Sequence, residues 1–306
     1  MKHYIIRRTG YSLLSLLLLS LTIFLFIRLT GDPTALLTEP GATDDEIAAV
    51  RAKFGLDQPL WTQYAVFLFS LLRGDLGESF YYQTPVVELY MARLPNSLAL
   101  AASAMAFSLL LGIPTGILAA VKVGKIWDSA GKLFALLGLS VPSFLVGMLM
   151  ILLFSVYLGW LPSSGAGGPW HLLMPAFALG WYFAAAHMRL TRSSMLEVMG
   201  SEYIKLARLK GLSETRVIAK HAFKNALIPV ITLAGINLIN MINVAVVVET
   251  VFAWPGIGRL LYEGVSFRDF PVVQGVVVIG GAMIVVVNLL VDILYAIIDP
   301  RIRLEG

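Results

Sequence analysis

The stretch SLALAASAMAFSLLLGIPTGILAAV, residues Ser97–Val121, runs for 25 residues without one charged side chain. Because roughly 20 apolar residues in a helix cross a hydrocarbon core about 30 Å thick, this stretch predicts a transmembrane helix. Further stretches that are mainly apolar are about Thr9–Leu29, Leu133–Trp160, Leu172–Leu190, Ala226–Phe252 and Val272–Ile298. None of them alternates between apolar and polar residues as the strands of a membrane barrel do. We therefore expect an all-α integral membrane protein with six transmembrane helices.

The composition excludes most other classes of protein. Of the 306 residues, 58% are hydrophobic and 14% are charged, whereas soluble domains carry roughly 25% charged residues. The chain has no cysteine, which rules out disulfides, thiolate metal ligands and cysteine nucleophiles. Its four histidines are scattered, and it contains neither a His-Glu-x-x-His nor a Gly-x-Ser-x-Gly motif. We expect no catalytic residue and no metal site, and a membrane-embedded enzyme is a remote alternative.

The basic residues predict the orientation of the chain in the membrane. With the N-terminus in the cytoplasm, sixteen Lys and Arg residues lie on the cytoplasmic side and seven on the external side, so both termini are expected to be cytoplasmic. The expected organisation is a cytoplasmic N-terminus with the first helix (1–29), an external segment (30–96), a five-helix transmembrane domain (97–298) and a cytoplasmic tail (299–306). The net charge of +4 then reflects topology, and nucleic acid is not an expected partner.

The external segment contains the signals of two short helices. Thr43 is a typical N-cap, and the acidic residues that follow it suit the first turn of a helix that Gly55 closes. A second helix is expected from about Trp61 to Leu72, where apolar residues recur with helical spacing. These helices could pack over the mouth of a helix bundle or form a folded cap without a direct role, and both interpretations remain open.

The loop of residues 189–225 is the longest cytoplasmic segment, with eight basic and three acidic residues. A first short helix is expected from about Ser201 to Lys210, with Tyr203, Leu206 and Ala207 on one face. Gly211 would end this helix, and Ser213 would cap a second one. Such a helix is a good docking element for a soluble partner. A solvated, positively charged loop is the alternative.

Several motifs in a fixed order resemble one family of membrane proteins. The most specific is Ala-Arg-Leu-Lys-Gly-Leu-Ser at 207–213. Others are FGLDQPL at 54–60, RGDLGES at 73–79, SVPSF at 140–144, TRSSM at 191–195, VETVFAWPGIG at 248–258 and NLLVD at 288–292. Together they resemble permease subunits of binding-protein-dependent ABC importers, in the dipeptide, oligopeptide and nickel family. Of the loop pattern shared by importers in general, only Ala207 and Gly211 are present.

The resemblance implies a type I ABC importer permease fold in the inner (plasma) membrane of a bacterium or archaeon. The implied partners are a second, usually non-identical permease, two cytoplasmic ATPase subunits and an external solute-binding protein. In such permeases the loop helix, here 201–213, docks in a groove of the ATPase. The residues that the resemblance assigns to this coupling are Tyr203, Leu206, Ala207, Arg208, Lys210, Gly211 and Leu212.

The chain is not expected to bind a cofactor. It has no Gly-x4-Gly-Lys-Ser/Thr phosphate loop, so ATP and Mg would be bound by the partner subunits. The implied substrate is a dipeptide or oligopeptide, with nickel or another metal chelate, glutathione or an opine as alternatives. A stand-alone secondary carrier is a more distant alternative, since such carriers commonly contain inverted repeats, and none is visible here.

Polar residues within the predicted spans are candidates for function because they are costly in lipid. Asn237, Asn240 and Asn243 recur every three residues in the fifth span, which keeps them on one broad face of a helix. This face could line a translocation pathway, or its amides could form hydrogen bonds between packed helices. Both interpretations remain open.

Two carboxylates also lie in predicted spans. Glu249, near the external end of the fifth span, could pair with Arg259 or Arg268 at a gate, or form a structural ion pair. Asp292, in the sixth span, could serve the pathway or contact the cytoplasmic ends of other helices.

Three prolines interrupt the predicted spans: Pro114, Pro142 and Pro175. Each removes a backbone donor and favours a kink. Such kinks could act as hinges or could be static bends.

Overall fold

The computed structural model describes residues 2–30, 34, 38, 42–53 and 55–298. In this part of the chain there are helices and no strands, and Glu78 and Pro85 form an isolated bridge. The α-helices are α1 (Lys2–Thr30), α2 (Asp44–Lys53), α3 (Leu60–Leu72), α4 (Val86–Val121), α5 (Ile126–Ser140), α6 (Ser143–Met150), α7 (Pro169–Met199), α8 (Glu202–Leu209), α9 (Glu214–Arg216), α10 (Phe223–Val251), α11 (Ile257–Ser266) and α12 (Phe270–Ile298). π-Helical segments continue α6 over Ile151–Tyr157 and join α9 to α10 over Val217–Ala222. The prediction of an all-α protein is confirmed.

Most predicted spans coincide with a long helix. Arg7–Leu29, Val86–Val121 and Glu214–Val251 are each long and apolar enough to cross a membrane. The predicted fourth span lies within α7, whose composition is less apolar. The predicted sixth span lies within α12, in which Phe270–Val286 is apolar. The number of six spans and the position of both termini stay predictions.

The predicted third span departs from expectation. The prediction of one helix over Leu133–Trp160 is wrong, because α5 and the α6 segment meet at an angle of 102°. The break lies at Pro142, which has no backbone N–H and directly precedes α6. The kink predicted at Pro142 is therefore confirmed, whereas α4 and α7 continue through Pro114 and Pro175.

The helices belong to two compact units, residues 1–93 with 260–306 and residues 94–259. In the first unit, α1 packs along α12, and Gly281 lies directly against Leu19. The buried carboxylate of Asp269 accepts hydrogen bonds from the Ser79 hydroxyl and from the backbone N–H groups of Phe80 and Tyr81. It also accepts a bond of 3.4 Å from Val272 N in the first turn of α12, which ties the 73–79 motif to this helix.

The two short helices predicted for the 30–96 segment are present in the first unit. Thr43 Oγ1 accepts a hydrogen bond from Glu46 N, and a Glu46 carboxylate oxygen accepts one of 2.8 Å from Thr43 N, which is a capping box. The donation from Thr43 lowers the pKa of Glu46 below its ordinary value. Gly55 follows α2 with a φ of +63°, and α3 occupies the segment expected from Trp61 to Leu72.

In the second unit, α7 packs against α5, α6 and α10, and small residues bring it unusually close to α4. A Cβ atom on Gly180 would lie 2.7 Å from Ala104 O, and one on Gly112 would lie 2.6 Å from Ala184 O. Small residues allow this approach of backbones, which stabilises helix pairs in a medium where apolar burial contributes little.

We expect Gly180→Ala to destabilise the second unit, because the added methyl group would overlap the carbonyl of Ala104. Overpacking of this kind costs about 1–3 kcal/mol. The measurement is the thermal unfolding midpoint of the purified protein in mild detergent. Gly235→Ala is the matched control, since Gly235 of α10 has no atom within 4 Å of the new Cβ. Equal midpoints for the two variants would contradict the packing argument.

Candidate coupling loop and translocation pathway

The predicted loop helix is present as α8, between Ser201 and Lys210. Gly211 ends it with a φ of +77°, a conformation that glycine adopts without the steric cost other residues incur. The second helix starts at Glu214 as predicted, but the Ser213 hydroxyl makes no capping hydrogen bond. The Ser213 carbonyl instead accepts a bond from Val217 N.

The two faces of α8 differ in burial. Ile204 and Ala207 are buried in a cluster formed with α4, α7, the π-helical segment and α10. Tyr203, Leu206 and Leu209 are exposed, Leu209 by 83%. Of the three residues predicted on one face, Tyr203 and Ala207 are four positions apart and lie on the same side of α8, but only Ala207 is buried, where it holds the helix against its own chain. Exposed leucines on a short helix are typical of a docking surface.

Polar contacts tie α8 to the start of α10. Asn225 Nδ2 donates hydrogen bonds of 2.9 Å to the Tyr203 hydroxyl and of 2.9 Å to His221 O. Arg208 donates to both oxygens of the Glu214 carboxylate, at 2.7 and 3.1 Å, and this bond raises the pKa of Arg208. Gly211 lies between Arg208 and Glu214 in the sequence, so this ion pair joins the two ends of the turn. A displacement of α8 would therefore be passed on to α10.

A second contact, on the side predicted to be cytoplasmic, involves Asp128, which the sequence analysis missed. Its buried carboxylate accepts hydrogen bonds of 2.8 Å from Arg192 Nε of α7 and 2.8 Å from Lys132 Nζ. A further bond of 3.1 Å comes from Gly124 N. This contact fixes the start of α5 on the C-terminal part of α7. In the sequence, the one indication of this contact is that Asp128 is the single acidic residue in the basic segment 122–132.

The three asparagines of α10 are placed in different surroundings. Asn237 is buried, and its amide nitrogen lies 3.4 Å from His187 Nε2 of α7. Asn240 and Asn243 are exposed, and Asn243 Nδ2 donates to Ile239 O. The expectation of one shared face therefore does not hold, although a role in the pathway stays a prediction for each residue.

His187 connects three helices of the second unit. Its Nδ1 lies 3.2 Å from the Ser108 hydroxyl of α4, which itself donates to Met105 O at 2.8 Å. A neutral imidazole protonated at Nδ1 would donate to the Ser108 oxygen and accept from Asn237 at Nε2, so both contacts are compatible with an uncharged ring.

Glu249 is buried at the end of α10 and caps α11. Its carboxylate accepts hydrogen bonds of 2.6 Å from the Ser97 hydroxyl and 3.0 Å from Arg259 N. The same hydroxyl accepts a bond of 2.8 Å from Ile257 N. Gly256 covers the carboxylate so closely that any Cβ would overlap it. The structure thus gives Glu249 a capping role, in which Arg259 takes part through its backbone. The side chain of Asp292 and the tail 299–306 lie outside the described residues.

The sequence matches a known family over nearly its whole length. Residues 112–304 match the binding-protein-dependent transport system inner membrane component, and residues 1–101 match the N-terminal part of such membrane components. The chain belongs to this family. It is therefore a permease, a membrane subunit of a transport system, as the resemblance implied.

Individual relatives and solved structures agree with this assignment. The permease is 41% identical over 304 residues to the glutathione transport system permease protein GsiC of Salmonella choleraesuis, with 99% of each chain covered. It is 39% identical to the dipeptide transport system permease protein DppB of Escherichia coli K12, again with 99% of each covered.

In fold, the permease is similar to a chain of the inward-facing MetNI methionine ABC transporter. The TM-score is 0.50 at 22% identity, over 65% of the permease and 95% of that chain. An amino acid ABC transporter gives a TM-score of 0.51 at 16% identity, over 70% and 94% of the respective chains. The fold of the permease is that of ABC importer transmembrane subunits.

We expect Glu249→Ala to destabilise the permease strongly, because it leaves the Ser97 hydroxyl and Arg259 N without their acceptor. Each buried donor without a partner costs about 1–3 kcal/mol. The yield of monodisperse protein and its thermal unfolding midpoint test this. Glu88→Ala, which removes an exposed carboxylate from α4, is the control. A Glu249→Ala protein as stable as Glu88→Ala would show that the cap is dispensable.

Proposed function

We propose that the permease forms one half of the translocation pathway of an ATP-driven importer for short peptides. An external solute-binding protein delivers the peptide, a second and non-identical permease forms the other half, and two cytoplasmic ATPase subunits supply the energy. The assembly lies in the inner membrane. The observation that carries this proposal is the amphipathic α8, which exposes Leu206 and Leu209 while it is tied rigidly to α10.

The coupling mechanism follows from these contacts. ATP and Mg bind to the ATPase subunits, and closure of that pair moves the grooves in which α8 of each permease docks. Because Ile204 and Ala207 bury one side of α8 and Asn225 links Tyr203 to α10, the movement reaches the transmembrane helices without being absorbed in the loop. This chain thus transmits force and performs no hydrolysis.

The relatives support peptides as the substrate class. The glutathione and dipeptide permeases named above are each related to this chain over its whole length. The exposed amides of Asn240 and Asn243 can donate and accept hydrogen bonds. These amides can form hydrogen bonds with the peptide groups of a substrate. They carry no charge that would retain the charged ends of a zwitterionic peptide.

The docking surface can be tested by placing a charge on it. We expect Leu206→Asp to abolish retention of the ATPase subunits by the tagged permease, since a carboxylate cannot enter an apolar groove without a large desolvation cost. Co-purification from mildly solubilised membranes is the measurement. The control is Val123→Asp in the other cytoplasmic loop, because Val123 and Leu206 are equally exposed, at 52% each. Undiminished retention with Leu206→Asp would refute the docking assignment.

The turn after α8 can be tested separately. We expect Gly211→Ala to leave ATPase binding intact but to lower peptide import per ATP hydrolysed, because a left-handed conformation costs a residue with a Cβ about 1–2 kcal/mol. Gly200→Ala is the control, since Gly200 ends α7 with a φ of −81°, which alanine adopts freely. Import and ATP hydrolysis are measured together in proteoliposomes. Unchanged coupling in Gly211→Ala would show that the turn geometry does not matter.

A further inference from the structure

The break between α5 and α6 borders a cavity of about 430 Å³ in the second unit. Its wall consists of residues 139–143 at the break, Tyr182 and Phe183 of α7, and Val244 of α10. Neither the docking helix nor the polar contacts described above use this cavity. Its volume lies within the range of roughly 300–1,000 Å³ that is usual for small-molecule pockets.

The position of the break requires an explanation. It lies in the interior of the predicted third span, where the chain is apolar on both sides. A helix broken at Pro142 leaves carbonyl groups without the intrahelical donors that they would otherwise have. Irregular backbone at membrane depth is tolerated only where it is buried in protein or lines a water-filled cavity. The cavity beside residues 139–143 meets this requirement.

The cavity wall combines apolar surface with accessible hydroxyl groups. Phe183 and Val244 supply apolar surface, while Ser140, Ser143 and Tyr182 carry hydroxyls. Ser140 and Tyr182 are exposed and Ser143 is half-buried, so their hydroxyls are accessible to a molecule in the cavity. A hydroxyl both donates and accepts, so it can bind either the N–H or the C=O of a peptide group.

The neighbouring face of α10 extends this surface. Asn240 precedes Val244 by four residues, so the two side chains lie on the same side of the helix, and both are exposed. Among the described residues that line the cavity, there is no Asp, Glu, Lys, Arg or His. The arrangement therefore suits an uncharged peptide group with an apolar side chain, while the charged ends of a substrate remain outside.

We propose that this cavity binds a peptide bond and the adjoining apolar side chain of the substrate during translocation. The proposal rests on the proposed function and adds to it a site with a stated chemistry. Hydrogen bonds from the hydroxyls of Ser143 and Tyr182 hold the peptide group, and Phe183 and Val244 contact the side chain.

Two valines of α10 provide a matched pair for the test. Val244 and Val247 are 50% and 48% exposed, and of the two only Val244 lines the cavity. The complete importer carrying Val244→Trp or Val247→Trp is reconstituted in liposomes, and ATP-driven uptake of labelled dialanine is measured with ATP hydrolysis. We expect Val244→Trp to lower uptake at least tenfold with hydrolysis within twofold of wild type, and Val247→Trp to retain uptake.

The possible failures are distinguishable. A wild-type importer that hydrolyses ATP but takes up no peptide overturns the proposed function itself. A working wild type with Val244→Trp as active as Val247→Trp, or with both equally inactive, overturns the cavity assignment alone.

A milder variant covers the case in which Val244→Trp does not assemble. Ser143→Ala combined with Tyr182→Phe removes two hydroxyls and little volume, so the importer is expected to form. We expect the KM for dialanine to rise several-fold, while ATP hydrolysis and retention of the ATPase subunits are unchanged. An unchanged KM in this variant would overturn the hydrogen-bonding part of the proposal.

Discussion

The absence of water in the bilayer core is the constraint on which the rest of this structure depends. A polar group at that depth is costly, by several kcal/mol, unless it finds a partner within the protein or lines a water-filled cavity. His187 meets this condition with one donor contact and one acceptor contact, and Glu249 meets it by capping α11. Gly256 lies directly over the Glu249 carboxylate, where only a residue without a side chain fits.

The same constraint explains where the helices approach each other most closely. Hydrophobic burial gives little net attraction between helices that are already surrounded by lipid, so contact area must come from backbones. Gly112 and Gly180 place α4 and α7 at van der Waals distance, which is also what brings Ser108 within reach of His187. The close approach of α4 to α7 therefore produces both the tight packing and the contact between Ser108 and His187.

The local features of the permease could be predicted from the sequence, because each depends on a few neighbouring residues. Hydropathy located the long helices, and Gly211 located the end of α8. The faces of α10 could not be predicted in the same way. A spacing of three residues turns a helix by about 300°, so Asn237 and Asn243 differ by about 120°, and only the neighbouring α7 decides which of them is buried. The role of Glu249 was missed for the same reason, since Ser97 lies 152 positions away in the sequence.

Two segments of the second unit differ in structure: α8 is packed and hydrogen-bonded, whereas the backbone at Pro142 is irregular. α8 is held by the buried apolar residues Ile204 and Ala207 and by hydrogen bonds that join Tyr203, Asn225 and His221. The irregular backbone lies instead at Pro142, beside a cavity that packed side chains do not fill. In the coupling that we propose, α8 would receive the movement of the ATPase subunits, and the break at Pro142 would lie beside the bound substrate. The contacts of α10 with both regions make this helix the physical connection between them.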